Sequence, residues 1–223
     1  MKSDCPCCPV TGEKVPAVFL DRDGVINEIL FHQELGLLET PFTVSQFKLK
    51  KGVAEAISQI NRMGLKAMVV SNQPGIAMKH FSKNVLRKVT EKMCKDLWKG
   101  KAYLDGIYYC IHHPEKGFGS LKKICDCRKP KAGLLKKAAK DFNIDLKKSF
   151  MIGDSIQDVQ TGKKAGCKTL LLAHLKCDLC QLMGKKGIKP DYLVKNLDLA
   201  VKKIKGLLSS RSGSHVHTLK RAS

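Results

Sequence analysis

Two aspartates one residue apart, Asp21 and Asp23, follow the apolar run Ala17-Val18-Phe19-Leu20, and Gly24 comes directly after them. Carboxylates that close repel each other unless something holds them, and a hard cation with oxygen ligands is the usual solution. Taken alone, the pair reads equally well as a strand followed by an acidic turn. Two further polar residues stand in the same relation to apolar runs: Ser71 after 65–70 and Asp154 after 149–153. Asp21, Asp23 and Asp154 together would suit Mg2+ that keeps waters or takes a phosphate oxygen. Ser71 offers a hydroxyl, and the glycine-bearing turn after it offers backbone N–H groups to an anion. Lys129 lies just ahead of a predicted helix and would neutralise phosphate charge.

A second group has different chemistry. Cys110, His112, Cys125 and Cys127 supply three thiolates and an imidazole, a set that suits a closed tetrahedral Zn2+ site. The one-residue spacings are tighter than in common zinc fingers, and buried thiols beside a surface histidine are the alternative. His113 would be the spare histidine. Cys5, Cys7 and Cys8, and Cys177 with Cys180, read as free or buried thiols rather than a second metal site. Cys94 and Cys167 read as core residues.

The elements that must position these groups follow from periodicity. Strands are expected at about 16–21, 65–70, 104–110, 149–153, 168–172 and 191–194. Helices are expected at 52–63, 83–98, 131–142, 156–165 and 196–208, with apolar residues such as Val53, Ala56, Ile57 and Ile60 at helical spacing. Ser82 is placed to cap the second helix, and Gly64 to end the first. Residues 24–51 read as a loop or small insertion, and 173–190 as irregular. Alternating strands and helices predict an α/β fold: a Rossmann-like parallel sheet with right-handed crossovers and helices on both faces. In such a sheet the strand ends share one edge, where ligands bind. Asp21, Asp23, Ser71 and Asp154 can therefore converge.

Composition bounds the rest. The 223 residues suit one α/β domain, and an apolar share of 43% argues against wholesale disorder. No apolar run approaches the ~20 residues of a membrane span. The first residues, Met1-Lys2-Ser3-Asp4-Cys5, lack the apolar core of a signal peptide, so a cytoplasmic protein with no membrane partner is expected. A monomer is expected too. The formal net charge of +21 favours anionic partners, a small phosphorylated metabolite first among them. Nucleic acid is allowed but not favoured, because aromatics are only 6% and are not interleaved with the lysines.

These residues resemble the haloacid dehalogenase-like phosphohydrolases. Asp21-Arg22-Asp23-Gly24 matches their first motif, Ser71 the second, Lys129 the basic residue and Gly153-Asp154-Ser155-Ile156-Gln157-Asp158 the acidic fourth. The strings 71–77, 105–110 and 125–130 further resemble the branch that acts on heptose bisphosphate or histidinol phosphate. The match runs over about 16–172. The resemblance implies that Asp21 attacks phosphorus and Asp23 serves as general acid and base. It further implies Mg2+ held by Asp21, the Asp23 carbonyl and Asp154. Ser71 and Lys129 would bind the transferring phosphoryl group, with Asn72, Gln73, Arg128 and Lys129 at the substrate. It also implies a structural zinc at Cys110, His112, Cys125 and Cys127, ordering a loop that delivers Arg128 and Lys129. Residues 28–50 do not match that branch, and Ser155 replaces a basic residue often found there. The small insertion implies a minimal cap and an open site. The domain limits expected are an irregular Cys-rich lead-in over 1–15, a phosphatase domain over 16–208, and a disordered basic tail over 209–223. A sugar bisphosphate is the expected substrate. Histidinol phosphate, a nucleic-acid 3′-phosphate, or no catalysis at all on a basic binding module are the alternatives.

Overall fold

The computed structural model describes residues 13–32, 37–172 and 187–212. The cysteine clusters at 5–8 and 177–180, and the tail beyond 212, lie outside the described residues.

Six parallel strands form the central sheet: β1 (Ala17–Leu20), β4 (Lys66–Asn72), β5 (Gly106–Cys110), β6 (Phe150–Gly153), β7 (Lys168–Leu172) and β8 (Tyr192–Val194). Their order is β5-β4-β1-β6-β7-β8, with β1 near the centre. Val18 pairs with both Ala67 and Phe150, so β1 is hydrogen-bonded on its two sides. The chain moves outward from β1 through α1 (Val53–Arg62) to β4 and through α2 (Lys83–Lys99) to β5. It then returns by α3 (Gly133–Phe142) to β6 on the other side of β1, and continues through α4 (Ile156–Ala165) to β7. Right-handed crossovers running in opposite directions put their helices on opposite faces. The reversal beside β1 opens a crevice at the carboxyl edge, where an α/β sheet binds its ligands.

Period-two alternation in the strands creates two cores from one sheet. Val18, Leu20, Ala67 and Val69 pack with Ala56, Ile57 and Ile60 of α1, Val89 and Met93 of α2, and Val201 and Ile204 of α5 (Leu197–Ser212). Ala17, Phe19, Met68 and Val70 point the other way, against Leu134, Leu135 and Ala138 of α3. Each of these side chains is buried. Burying a side chain of leucine size is worth about 1.5–3 kcal/mol, so the layers hold the strand ends in fixed relative positions.

Most element boundaries agree with the periodicity, and the differences have local causes. The strand expected at 65–70 runs on to Asn72, because Ser71 and Asn72 still pair with Tyr109 and Cys110 of β5. The next strand starts at Gly106 rather than 104. Asp105 there turns its carboxylate to the Ala67 N–H at 2.9 Å and the Lys66 ammonium at 2.8 Å, taking the place of a ladder contact. The closing helix, α5, runs to Ser212, four residues into the stretch expected to be disordered from 209. In this last turn Ser209 donates to the Lys205 carbonyl at 3.0 Å and Ser210 to that of Leu207 at 3.2 Å. In the lead-in, Val15 bonds Asn143 and Asp145 through its backbone, so the end of that stretch belongs to the fold. The insertion at 28–50 holds one antiparallel hairpin, β2 (Leu30–His32) and β3 (Leu37–Glu39). Backbone bonds from Glu28 to Lys48 and from Lys50 to Ile26 close its stem. This is a minimal cap. Among the described residues, no helix is long and apolar enough to cross a membrane.

Candidate active site

Asp21 follows β1 directly, its N–H bonded to the Ile152 carbonyl at 3.0 Å. Its Oδ1 accepts the Arg22 N–H at 2.7 Å and lies 2.9 Å from the Lys129 Nζ. The same ammonium donates to Asp158 Oδ1 at 2.6 Å. Lys129 is only 3% exposed, and a lysine that buried needs charged partners. Burial pulls its pKa down, but Asp158 first and Asp21 second outweigh burial, and the net shift is upward. Lys129 is therefore a permanent cation between two carboxylates.

Asp154 completes the cluster after β6. Carboxylate oxygens of Asp21, Asp154 and Asp158 all lie within 4.8 Å of one another. Burial pushes the Asp154 carboxyl up to about 7; the charges of Asp21 and Asp158 add to the shift, and Lys129 opposes it. Two glycines make the approach possible. Gly24 turns at φ +78°, and a Cβ there would lie 1.8 Å from Asp154 Oδ2. A Cβ on Gly153 would lie 2.1 Å from that of Asp158. Any side chain at either position would force the acids apart.

The donor set fits Mg2+. Asp158 is committed to Lys129 and to the Ser155 hydroxyl at 2.6 Å and N–H at 3.1 Å. Asp21 and Asp154 are the hard oxygen donors left to a small divalent cation, whose charge would relieve the crowding that raises Asp154.

The other predicted residues gather at the same edge. Ser71 is buried at the end of β4 and receives the Gln73 amide N–H at 3.1 Å. Asn72 brackets the backbone of Lys129: its Oδ1 accepts the Lys129 N–H at 3.0 Å and its Nδ2 donates to the Lys129 carbonyl at 3.1 Å. Gln73 is buried and donates to Asp23 at 2.7 Å. Both amides, expected at the substrate, are thus turned to neighbouring site residues. Arg128 is half-buried, with Nη1 on the His112 carbonyl at 3.2 Å. Asp158 closes the acidic fourth motif but carried no assigned role there; the structure pairs it with Lys129. Its signal was present as Ser155-x-x-Asp158, a capping box at the start of α4.

Cys110, His112, Cys125 and Cys127 also converge. The Cys127 sulfur lies 3.2 Å from that of Cys125, 3.3 Å from that of Cys110 and 3.4 Å from His112 Nδ1. Cys110 is 3.6 Å from Cys125 and 3.8 Å from His112 Nδ1. Tetrahedral Zn–S bonds of about 2.3 Å place sulfurs about 3.8 Å apart, and the set comes to within about 0.6 Å of that spacing, with ligand types that suit zinc. Burial pushes the Cys110 and Cys127 thiols up. Cys125 goes down, because sulfur contacts from Cys127 and Cys110 outweigh its burial. The cluster touches the acidic site through the backbone: the Gln73 N–H donates to the Cys110 carbonyl at 2.7 Å.

Known proteins are similar to this chain in sequence and in fold. The HAD-hydrolase-like family model matches residues 126–200. The D-glycero-beta-D-manno-heptose-1,7-bisphosphate 7-phosphatase of Pasteurella multocida (strain Pm70) is 39% identical over 193 residues, which cover 86% of this chain and 98% of that one. A HAD-like phosphatase from Mesorhizobium loti, solved at 1.50 Å, superposes with a TM-score of 0.71 at 28% identity, over 90% of each chain. The D,D-heptose 1,7-bisphosphate phosphatase of B. bronchiseptica, solved with magnesium and phosphate, gives a TM-score of 0.70 at 24% identity, over 88% of this chain and 99% of that one; at this identity the likeness concerns the fold. The chain belongs to the haloacid dehalogenase-like phosphatases, in the family of the heptose-bisphosphate 7-phosphatase relatives.

Proposed function

We propose that this protein is a Mg2+-dependent phosphomonoesterase that removes the 7-phosphate of D-glycero-D-manno-heptose 1,7-bisphosphate, or of a similar sugar bisphosphate, through an aspartyl-phosphate on Asp21. The observation that carries the reading is the buried Lys129 ammonium bridging Asp21 and Asp158 beside Asp154. A merely structural ion pair has no need of a third acid in contact range. The substrate rests on the 39% identity to a relative of that name, which this chain matches over nearly its full length.

Lys129 and the Arg22 N–H hold Oδ1 of Asp21, which leaves Oδ2 to attack phosphorus in line. Lys129 and the Ser71 hydroxyl take the oxygens of the transferring group, where fixed donors act most strongly. Asp23 gives its proton to the leaving alkoxide, then takes one from the water that opens the aspartyl-phosphate. Splitting the displacement in two returns Asp21 unchanged. Mg2+ bound by Asp21, Asp154 and the Asp23 carbonyl would supply the positive charge that screens the nucleophile from the phosphate oxygens. Zn2+ on Cys110, His112, Cys125 and Cys127 would fix the loop whose next residues are Arg128 and Lys129. Arg128 then stands at the substrate side of that loop.

Phosphate release from a panel of phosphorylated metabolites, heptose bisphosphate included, tests this with and without Mg2+. The expected result is Mg2+-dependent release with the heptose ester preferred. Release without Mg2+ contradicts the mechanism, and preference for histidinol phosphate or a DNA 3′-phosphate contradicts the substrate.

A further inference from the structure

Arg22 separates the two motif aspartates in sequence, yet its side chain is the largest fully buried one in the described structure. A buried guanidinium is costly, and an apolar side chain of similar volume often serves stability as well. Its position has a specific consequence. Backbone bonds from Ile26 and Asn27 to the Arg22 carbonyl fold the turn, so that Arg22 lies back against Asp23. Its Nε and Nη2 donate to Asp23 Oδ1 at 3.1 and 2.9 Å, and Nη2 also reaches Oδ2 at 3.1 Å. The Tyr109 ring backs the guanidinium, 5.7 Å from its central carbon.

The two oxygens of Asp23 are not equivalent. Oδ1 takes both Arg22 contacts and a third from Asn27 Nδ2 at 3.0 Å. Oδ2 takes the Gln73 amide at 2.7 Å and only the longer, shared branch of Nη2. A carboxylate offers about four lone-pair sites, so fixed donors fill this one. Proton transfer needs one oxygen to let a donor go, and Oδ2 is the one held by fewer.

We infer that Arg22 is the positioning residue of Asp23. It anchors Oδ1 together with Asn27, and aims Oδ2 as the oxygen that exchanges protons with leaving group and water. The inference rests on the phosphatase reading above. In the first half-reaction the Oδ2–H proton passes to the leaving oxygen as its bond to phosphorus breaks. In the second, Oδ2 takes a proton from water as the water oxygen bonds phosphorus and the Asp21–phosphorus bond breaks. Arg22 touches neither substrate nor phosphorus; it acts through Asp23.

Aryl phosphates of graded leaving ability separate this role from a structural one. 4-Nitrophenolate departs without a proton, whereas phenolate gains from one. With Arg22→Met, kcat/KM, which reports the first half-reaction, should fall at least about tenfold further for phenyl phosphate than for 4-nitrophenyl phosphate. Arg22→Lys, which keeps the charge and loses the fork, should recover part of that difference. Equal losses on both esters, or none, overturn the inference and leave the phosphatase reading standing. A wild-type chain that cleaves no phosphomonoester overturns both. Should Arg22→Met fail to fold, a crystal structure of the wild-type protein with Mg2+ and orthovanadate decides. The expected geometry has the Gln73-side oxygen of Asp23 on the apical vanadate oxygen, with Arg22 still on its partner oxygen. The Asn27-side oxygen in that place overturns the inference.

Discussion

The acids around Lys129 and the thiols around His112 sit at the same edge of the sheet, two strands apart, and are held by different means. Asp21 and Asp154 follow core strands, and Asp158 lies in the first turn of a helix packed on them. The fold fixes these acids and supplies a cation of its own, Lys129. Among the sulfur ligands only Cys110 sits in a strand; His112, Cys125 and Cys127 come from a long loop. That loop has contacts of its own, Cys125 and Cys127 packing on the core behind β5 and the Phe118 N–H on the Ala77 carbonyl at 3.0 Å, and zinc on the proposed ligands would add to its order. The acidic site thus has a protein cation at its centre, whereas the thiol site would take its positive charge from the proposed zinc. Lys129 joins them, being two residues from Cys127 and inside the acidic cluster.

The sharpest way to break this contrast is to remove the cation. Lys129→Met leaves Asp21, Asp154 and Asp158 buried without it. Turnover should fall about 10²–10³-fold, and unfolding by denaturant should show a loss of about 3–5 kcal/mol. An unchanged stability would mean that the acids are not held by charge.

Removing the thiol metal should act more slowly and from a distance. Elemental analysis of the wild type is expected to find one equivalent of zinc, and Cys127→Ser or prolonged chelation should abolish it. It should also raise proteolysis of the 111–128 loop and cut turnover about tenfold or more even with Mg2+ restored. Full activity in zinc-free protein would show that the loop is ordered without metal.

Acid separates the Mg2+ site further. Burial pushes the Asp154 carboxyl up to about 7 in the metal-free fold, well above its unfolded value. The folded chain then holds a proton that the unfolded chain has released, so this group's contribution to stability is present in acid and lost as pH rises through 7. Mg2+ must displace the same proton. Its apparent affinity, read by titration, should weaken about tenfold per unit below pH 7 and level off above it. The stabilisation that Mg2+ confers should be larger at pH 8 than at pH 5.

The smallest effect belongs to Asn72. Its amide brackets the Lys129 backbone, so Asn72→Ala should loosen Lys129 without removing charge. A several-fold loss in kcat with about 1 kcal/mol of stability is expected. A change in KM alone would instead place Asn72 at the substrate.

The same contrast explains what could be read from the chain. Asp21, Asp23, Ser71 and Asp154 were legible because each follows an apolar run, and a parallel sheet brings such ends together. Residue type and spacing left the thiol set open between a zinc site and buried thiols, and the family resemblance is what implied zinc there. Asp158 was legible as the end of the acidic fourth motif, but not its pairing with Lys129, because it falls within a helix and its bond to Ser155 resembles an ordinary cap. Nor was Arg22: a charged spacer in a turn is expected in solvent, and only the folded-back turn buries it against Asp23. The protein partners of Gln73 and Asn72, which are Asp23 and Lys129, are distant in sequence and could not be read from it. The stretch from 209 read as disordered from its Ser, Arg, His and Gly content, and α5 runs through its first residues to Ser212.

The central claim is that Asp21 carries the phosphoryl group between the two halves of the reaction. Mixing the Mg2+-loaded protein with substrate labelled in its phosphate, quenching in acid within the first turnover and mapping the label by peptide mass spectrometry tests it directly. The label is expected on Asp21 and nowhere else, and absent from Asp21→Asn, which should release no phosphate. Label-free protein, or an Asp21→Asn variant that turns over at the wild-type rate, would contradict the account.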